Sequence, residues 1–108
     1  MTPEARKEHM SHLQVLTEQF RTMLATAAKD RDKREQFIPR ANGSGTEPAW
    51  AVHERELMHK AVNQERAKRS KKPVDLTEVT SVEQLALGHV DYAHKYALYC
   101  AELVLQEK

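Results

Sequence analysis

Six histidines in a chain of 108 residues, at positions 9, 12, 53, 59, 89 and 94, raise metal binding as the first chemistry to test. A zinc site needs three or four converging ligands, and the spacing here does not supply them. His59 follows His53-Glu54 six residues after the first histidine, not four, so the zinc-protease arrangement is absent. Glu56 and His59 have the i,i+3 spacing of carboxylate-bridged di-iron bundles. On a helical wheel, however, they lie opposite Trp50, Leu57 and Ala61, toward solvent. Asp91 and His94 share that spacing, but Asp91 falls on a polar stripe. His9 and His12 offer two ligands only. Ordinary titrating surface histidines are the expectation, with no metal and no cofactor.

Two polar residues fall on apolar helix faces. Glu54 projects with Trp50, Leu57 and Met58, and His89 with Val82, Ala86, Ala93 and Cys100. A buried carboxylate is costly unless paired, so a Glu54–His89 pair across two helices is expected. It would fix helix register rather than catalyse, since no nucleophile or third catalytic group is visible beside it. Cys100 faces the expected core and reads as a small hydrophobe. No Gly-rich phosphate loop occurs. The strongest charge feature is the run Arg66, Lys68, Arg69, Lys71 and Lys72, a candidate phosphate contact whose affinity would fall with salt. It lacks interleaved aromatics, and cations at a helix C-terminus also simply complement the dipole.

Three helices are expected to position these residues, at about 3–36, 47–69 and 76–107, with loops at 37–46 and 70–75. Leu13, Leu16, Phe20, Met23 and Ala27 make one seam at steps of 3 and 4. After Ala28, residues 29–35 are charged on every side. The cluster Ile38–Gly45 is rich in turn formers. Thr46 is the expected N-cap of the second helix, with Glu47 at its positive end and Pro48 in its first turn. Its apolar face is Trp50, Ala51, Leu57, Met58, Ala61 and Val62; His59, Asn63 and Arg66 share the polar face. Pro73 interrupts the chain. In the third helix Ser81 and Gln84 match a capping box, with a short helical turn before it at 75–80. Gln84, Asp91, Lys95 and Glu102 form a narrow polar stripe, with Asp91 and Lys95 spaced for an ion pair. Nearly all the rest of its circumference is apolar. Two partner helices cannot cover so wide a surface. Leu85, Leu87, Tyr92, Leu98, Tyr99 and Leu103 are therefore expected to form an interaction surface, for a second copy or another protein.

Composition agrees with an all-α class. Gly (3) and Pro (4) are too scarce for sandwiches and barrels, which need frequent turns. One cysteine excludes an internal disulfide and fits a reducing compartment. The net charge of +1 gives no global field toward nucleic acid or membrane. It hides a polarity: residues 67–72 carry four cations, whereas residues 73–108 carry two basic and six acidic side chains. No apolar run reaches the roughly 20 residues that a membrane span needs. MTPEARKEHM has no apolar stretch of the kind that marks a secretory leader, so a cytoplasmic protein is expected.

The passage Gly88-His89-Val90-Asp91-Tyr92-Ala93-His94-Lys95-Tyr96-Ala97-Leu98-Tyr99-Cys100-Ala101-Glu102-Leu103 resembles small uncharacterised helical proteins of actinobacteria and their phages. The resemblance implies a phage or prophage origin, in host cytoplasm or virion, and assigns no residue a role. The expectation is thus a three-helix bundle with a long N-terminal and a largely buried C-terminal helix. Its function is expected to be a non-enzymatic, self-associating interaction module, a phage structural or accessory protein. The alternative is a small nucleic-acid-binding protein using 66–72.

Overall fold

The computed structural model describes residues 2–40 and 43–107; Ala41 and Asn42, in the expected turn, lie outside the described residues. Helix α1 spans Pro3–Ala28. Thr2 caps it, its hydroxyl accepting from Ala5 N–H at 3.1 Å, and Pro3 occupies the first turn, where its missing N–H costs nothing. Its seam buries Leu16, Phe20, Leu24 and Ala27. The helix stops eight residues short of the expected end. Beyond Ala28 there is no apolar stripe to bury, and the charged stretch tightens into a 3₁₀ turn, Arg31–Arg34.

The segment expected as a loop forms a small antiparallel hairpin, β1 (Phe37–Pro39) and β2 (Thr46–Pro48), with Ile38 opposite Glu47. Gly43 and Gly45, at φ 76° and 99°, supply the left-handed residues that its turn requires. Thr46 is therefore not an N-cap. Helix α2, Ala49–Lys68, starts after Pro48, and Ala49 N–H donates to the Gln36 carbonyl at 2.8 Å. At its far end Ser70 reverses the chain at φ 56°.

The expected third helix is two helices. Helix α3, Leu76–Ala86, starts from a capping box of Asp75 and Glu78, not Ser81 and Gln84. Ser81 lies inside it and donates back to the Thr77 carbonyl. Helix α4, Tyr92–Leu105, starts at Asp91, whose carboxylate accepts from His94 N–H at 3.3 Å. Asp91 is thus an N-cap, not the expected ion-pair partner of Lys95. Gly88, a poor helix former, sits in the elbow 87–91 between the two. The elbow resolves the excess of apolar circumference. Folded back on itself, the segment buries one half against the other.

Paired contacts fix the directions. Arg31 meets Glu54 and Gln19 meets Glu65, so α1 and α2 are antiparallel. Asn63 meets Val74 and Arg55 meets Glu83, so α2 and α3 are antiparallel. Arg66 reaches the end of α4, while Glu54 and Tyr92, near the two helix starts, line one cleft, so α2 and α4 run parallel. The shared core is Leu16, Phe20, Met58, Val62, Val79, Ala86, Tyr96, Ala97, Cys100 and Val104. The architecture is all-helical apart from the hairpin, with four helices where three were expected.

Candidate functional site

The end of the molecule where α2 begins gathers a buried ionic network. Arg55 lies between two carboxylates: its guanidinium bonds Glu47 of β2, and donates to Glu83 of α3 at 2.9 and 3.1 Å. All three residues are buried, at 9% exposure or less. Three elements are thereby tied at one point. The carboxylates are not equivalent. The Arg55 hydrogen bonds hold Glu47 below its usual range against the opposing effect of burial. Glu83 is pushed up, because its own burial outweighs the Arg55 bonds and Glu47 adds repulsion.

Beside this triad, Arg31 of the 3₁₀ turn grips Glu54 with two bonds, at 2.8 and 2.9 Å, and lies 3.9 Å over the Trp50 ring. The expected Glu54–His89 pair is therefore incorrect. Glu54 is buried, as its place on the apolar face implied, but its partner comes from the charged stretch that the sequence gives no reason to bury. His89 is exposed in the elbow, where its ring meets Tyr99, Nε2 to hydroxyl 3.3 Å.

The hydroxyls of Tyr92 and Tyr96 and the Cys100 thiol are all pushed up, burial being the main cause. A thiol held protonated in the core is not a nucleophile. Nor do three His, Cys, Asp or Glu side chains converge as metal ligands among the described residues. With each carboxylate held by an arginine, the network suits fixing elements in place.

The basic run lies at the opposite end and is mostly engaged within the molecule, although Lys68 and Lys72 stay exposed. Arg66 is fully buried. Its guanidinium donates to the carbonyls of Lys72, Leu103, Val104 and Gln106, and so caps the C-terminal end of α4. Lys71 adds bonds to the Leu105 and Gln106 carbonyls at 2.9 and 3.0 Å. Lys68 and Arg69 pair with Glu65. Burial raises the Glu65 pKa, but these two partners and Gln19 outweigh it and set it below its usual range. Only Lys72 of the five stands exposed without such a contact among the described residues. The polar face expected for His59, Asn63 and Arg66 is likewise covered. His59 and Asn63 both bond the Val74 carbonyl and fasten the linker before α3.

The expected interaction surface divides. Leu103 is buried and belongs to the core, a correction. Tyr92, Leu98 and Tyr99 are half-buried: Tyr92 packs on Tyr96, Tyr99 meets His89, and Leu98 lines a groove between α1 and α4. Leu85 and Leu87 remain 64% and 56% exposed, and Val90, which is not among the six, is fully exposed. The three sit around the elbow. Phe37 of the hairpin is exposed at the same end of the bundle.

No helix among the described residues is long and apolar enough to cross a membrane. Comparison with protein-family models, curated proteins and solved structures finds no match to this chain.

Proposed function

We propose that this chain is a non-enzymatic protein–protein interaction module that docks through the α3–α4 elbow. The observation that carries this reading is the exposure of Leu85, Leu87 and Val90 within six residues. The last turn of α3 and the connection that follows it have no folding reason to present three large aliphatic side chains to water, and clustered apolar exposure marks contact surfaces. The polar groups around it support a binding rather than a chemical role, since the buried carboxylates are held by arginines. Cytoplasmic residence, and a structural or accessory role in a phage or its host, belong to the same reading.

The internal engagement of Arg66, Lys68, Arg69 and Lys71 weighs against the nucleic-acid alternative. Site-specific photo-cross-linking tests the docking reading. A photoreactive residue at position 87 should give a protein adduct in the source cell, and Leu85→Glu or Val90→Glu should abolish it with helicity unchanged. Absence of any adduct from position 87, where the same probe at buried position 62 reports an intact fold, would remove the elbow as a docking element.

A further inference from the structure

We infer that the exposed side of α1 is a second, separate interface, which pairs the chain antiparallel with another copy of itself. Glu4, Lys7, Ser11, Gln14, Glu18 and Arg21 recur at steps of 3, 4, 3, 4 and 3, so they form one strip along the helix, and all six are exposed. The order of charge along it is acid, base, acid, base. A two-fold axis crossing the strip between positions 12 and 13 brings Lys7 opposite the partner's Glu18, and Glu4 opposite the partner's Arg21. Each contact occurs twice. Ser11 then meets the partner's Gln14 near the axis, where a small side chain permits close approach. A parallel pairing would instead oppose Glu4 to Glu4, Lys7 to Lys7 and Glu18 to Glu18. The charge pattern therefore selects antiparallel self-pairing and penalises the alternative.

The surface beside the strip fits the same partner. Lys7, Ser11, Gln14 and Glu18 are also one wall of the groove of about 570 Å³ between α1 and α4, whose apolar lining is Met10, Leu13 and Leu98. Met10, 57% exposed, and Val15, 62% exposed, lie about 70° to either side of the strip on a wheel. The polar strip thus has an apolar edge on both sides, the arrangement of a helix pair with a charged seam. In the antiparallel register the partner's Met10 comes level with residue 15, over the groove, and this chain's Met10 does the same in return. The existing Glu18–Arg21 contact within one helix is long, 3.6 Å, with both side chains about half or more exposed. It is readily exchanged for contacts across the axis.

This interface gives the self-association expected from sequence a place other than the elbow. It rests on the interaction-module reading for its use, not for its geometry. The C-terminal half of α1 lies at the elbow end and its N-terminal half points away, so pairing about residues 12–13 leaves the two elbows far apart and free. The result is a two-headed module.

A charge-swap cycle read by sedimentation equilibrium at low ionic strength tests the pairing. The wild-type chain should reach twice the 12.4 kDa protomer mass as its concentration rises to about 1 mM. Lys7→Glu and Glu18→Lys should each weaken pairing roughly tenfold, and the double swap should restore it, with circular dichroism unchanged throughout. Added salt should weaken wild type and double swap alike. A wild-type monomer at about 1 mM would overturn the inference. So would a dimer indifferent to both single swaps, or single-swap losses that the double swap does not repair. A dimer lost on Leu87→Glu but unmoved by the swaps would also reject α1 pairing, and would place self-association on the elbow.

Discussion

Helix α2 buries an arginine near each end, and the two are held in different ways. Arg55 has ionic partners, the carboxylates of Glu47 and Glu83. Arg66 has dipolar ones, the carbonyls of Lys72 and of the last turn of α4. Both join distant parts of the chain, one the hairpin and α3, the other the linker and α4. The physical difference is that a carboxylate left without its arginine is a buried charge, whereas a carbonyl left without one is a buried dipole. The first is far more costly, and only the first can titrate. The elements that meet at Arg55 should therefore respond strongly to mutation, and they are the ones that should sense acid. Those at Arg66 should respond less to mutation and not at all to moderate acid.

The largest expected effect follows from removing Arg55. Arg55→Met keeps much of the side-chain volume but strips Glu47 and Glu83 of the one guanidinium that bonds both, leaving only the more distant charge of Arg40, at a cost of about 3–5 kcal/mol in urea unfolding. Adding Glu83→Gln should recover part of that loss, because one of the two uncompensated charges is then gone. A loss below about 1 kcal/mol for Arg55→Met alone would show that water enters the site and solvates the carboxylates, and the ionic character of this end would have to be abandoned.

Arg66→Met is the matching substitution at the other end, with an expected cost of about 2–3 kcal/mol. It strips the carbonyls of Leu103 and Lys72 of a donor without stranding a charge. The damage should be local, with amide exchange accelerating in residues 100–105 before it does in α1. A cost equal to that of Arg55→Met would erase the distinction between the two ends.

The same contrast explains what could be read from sequence. The seam of α1 and the Met58, Ala61 and Val62 face of α2 were legible because burial there follows local periodicity. Glu54 was legible as a buried acid for the same reason. Its partner was not, because Arg31 lies in a stretch charged on every side, and only tertiary packing lays one of its members over Trp50. Arg66 is hidden more deeply. On the helical wheel it sits among polar residues, and what buries it is the end of a helix nearly 40 positions later. The break between α3 and α4 left a signal that could have been used. The apolar circumference was too wide for one helix, Gly88 lay in its middle, and Asp91 stood where an N-cap would be. Read as one helix, that width argued for association. Read as two, most of it is satisfied internally, and among the described residues Leu85, Leu87 and Val90 are the most exposed of what remains, ahead of Leu76.

The smallest expected effect is the response to pH, and it separates the two ends without mutation. Glu83 ionises with more difficulty in the fold than in the unfolded chain, so its charge is a cost that is fully present at neutral pH. Acidification from neutral toward the ordinary glutamate value of 4.5 protonates Glu83 in the fold first, and stability should rise over that interval. Glu47 and Glu65 are set the opposite way. Their contributions are complete above the ordinary value and are lost only as the pH falls below it, through their lowered folded values. The melting temperature should therefore pass through a maximum on the acid side of neutrality and then decline. In Glu83→Gln the rise should vanish while the decline persists, since the titrating group behind the rise is gone and the other two remain. Backbone amide shifts should follow the same division across the rising limb, moving at Glu47, Arg55 and Glu83 and staying still at residues 103–106, where Arg66 holds carbonyls that have no proton to gain. A wild-type melting temperature that only falls on acidification would mean that Arg55 stabilises both carboxylates alike, and the asymmetry within the triad would be lost.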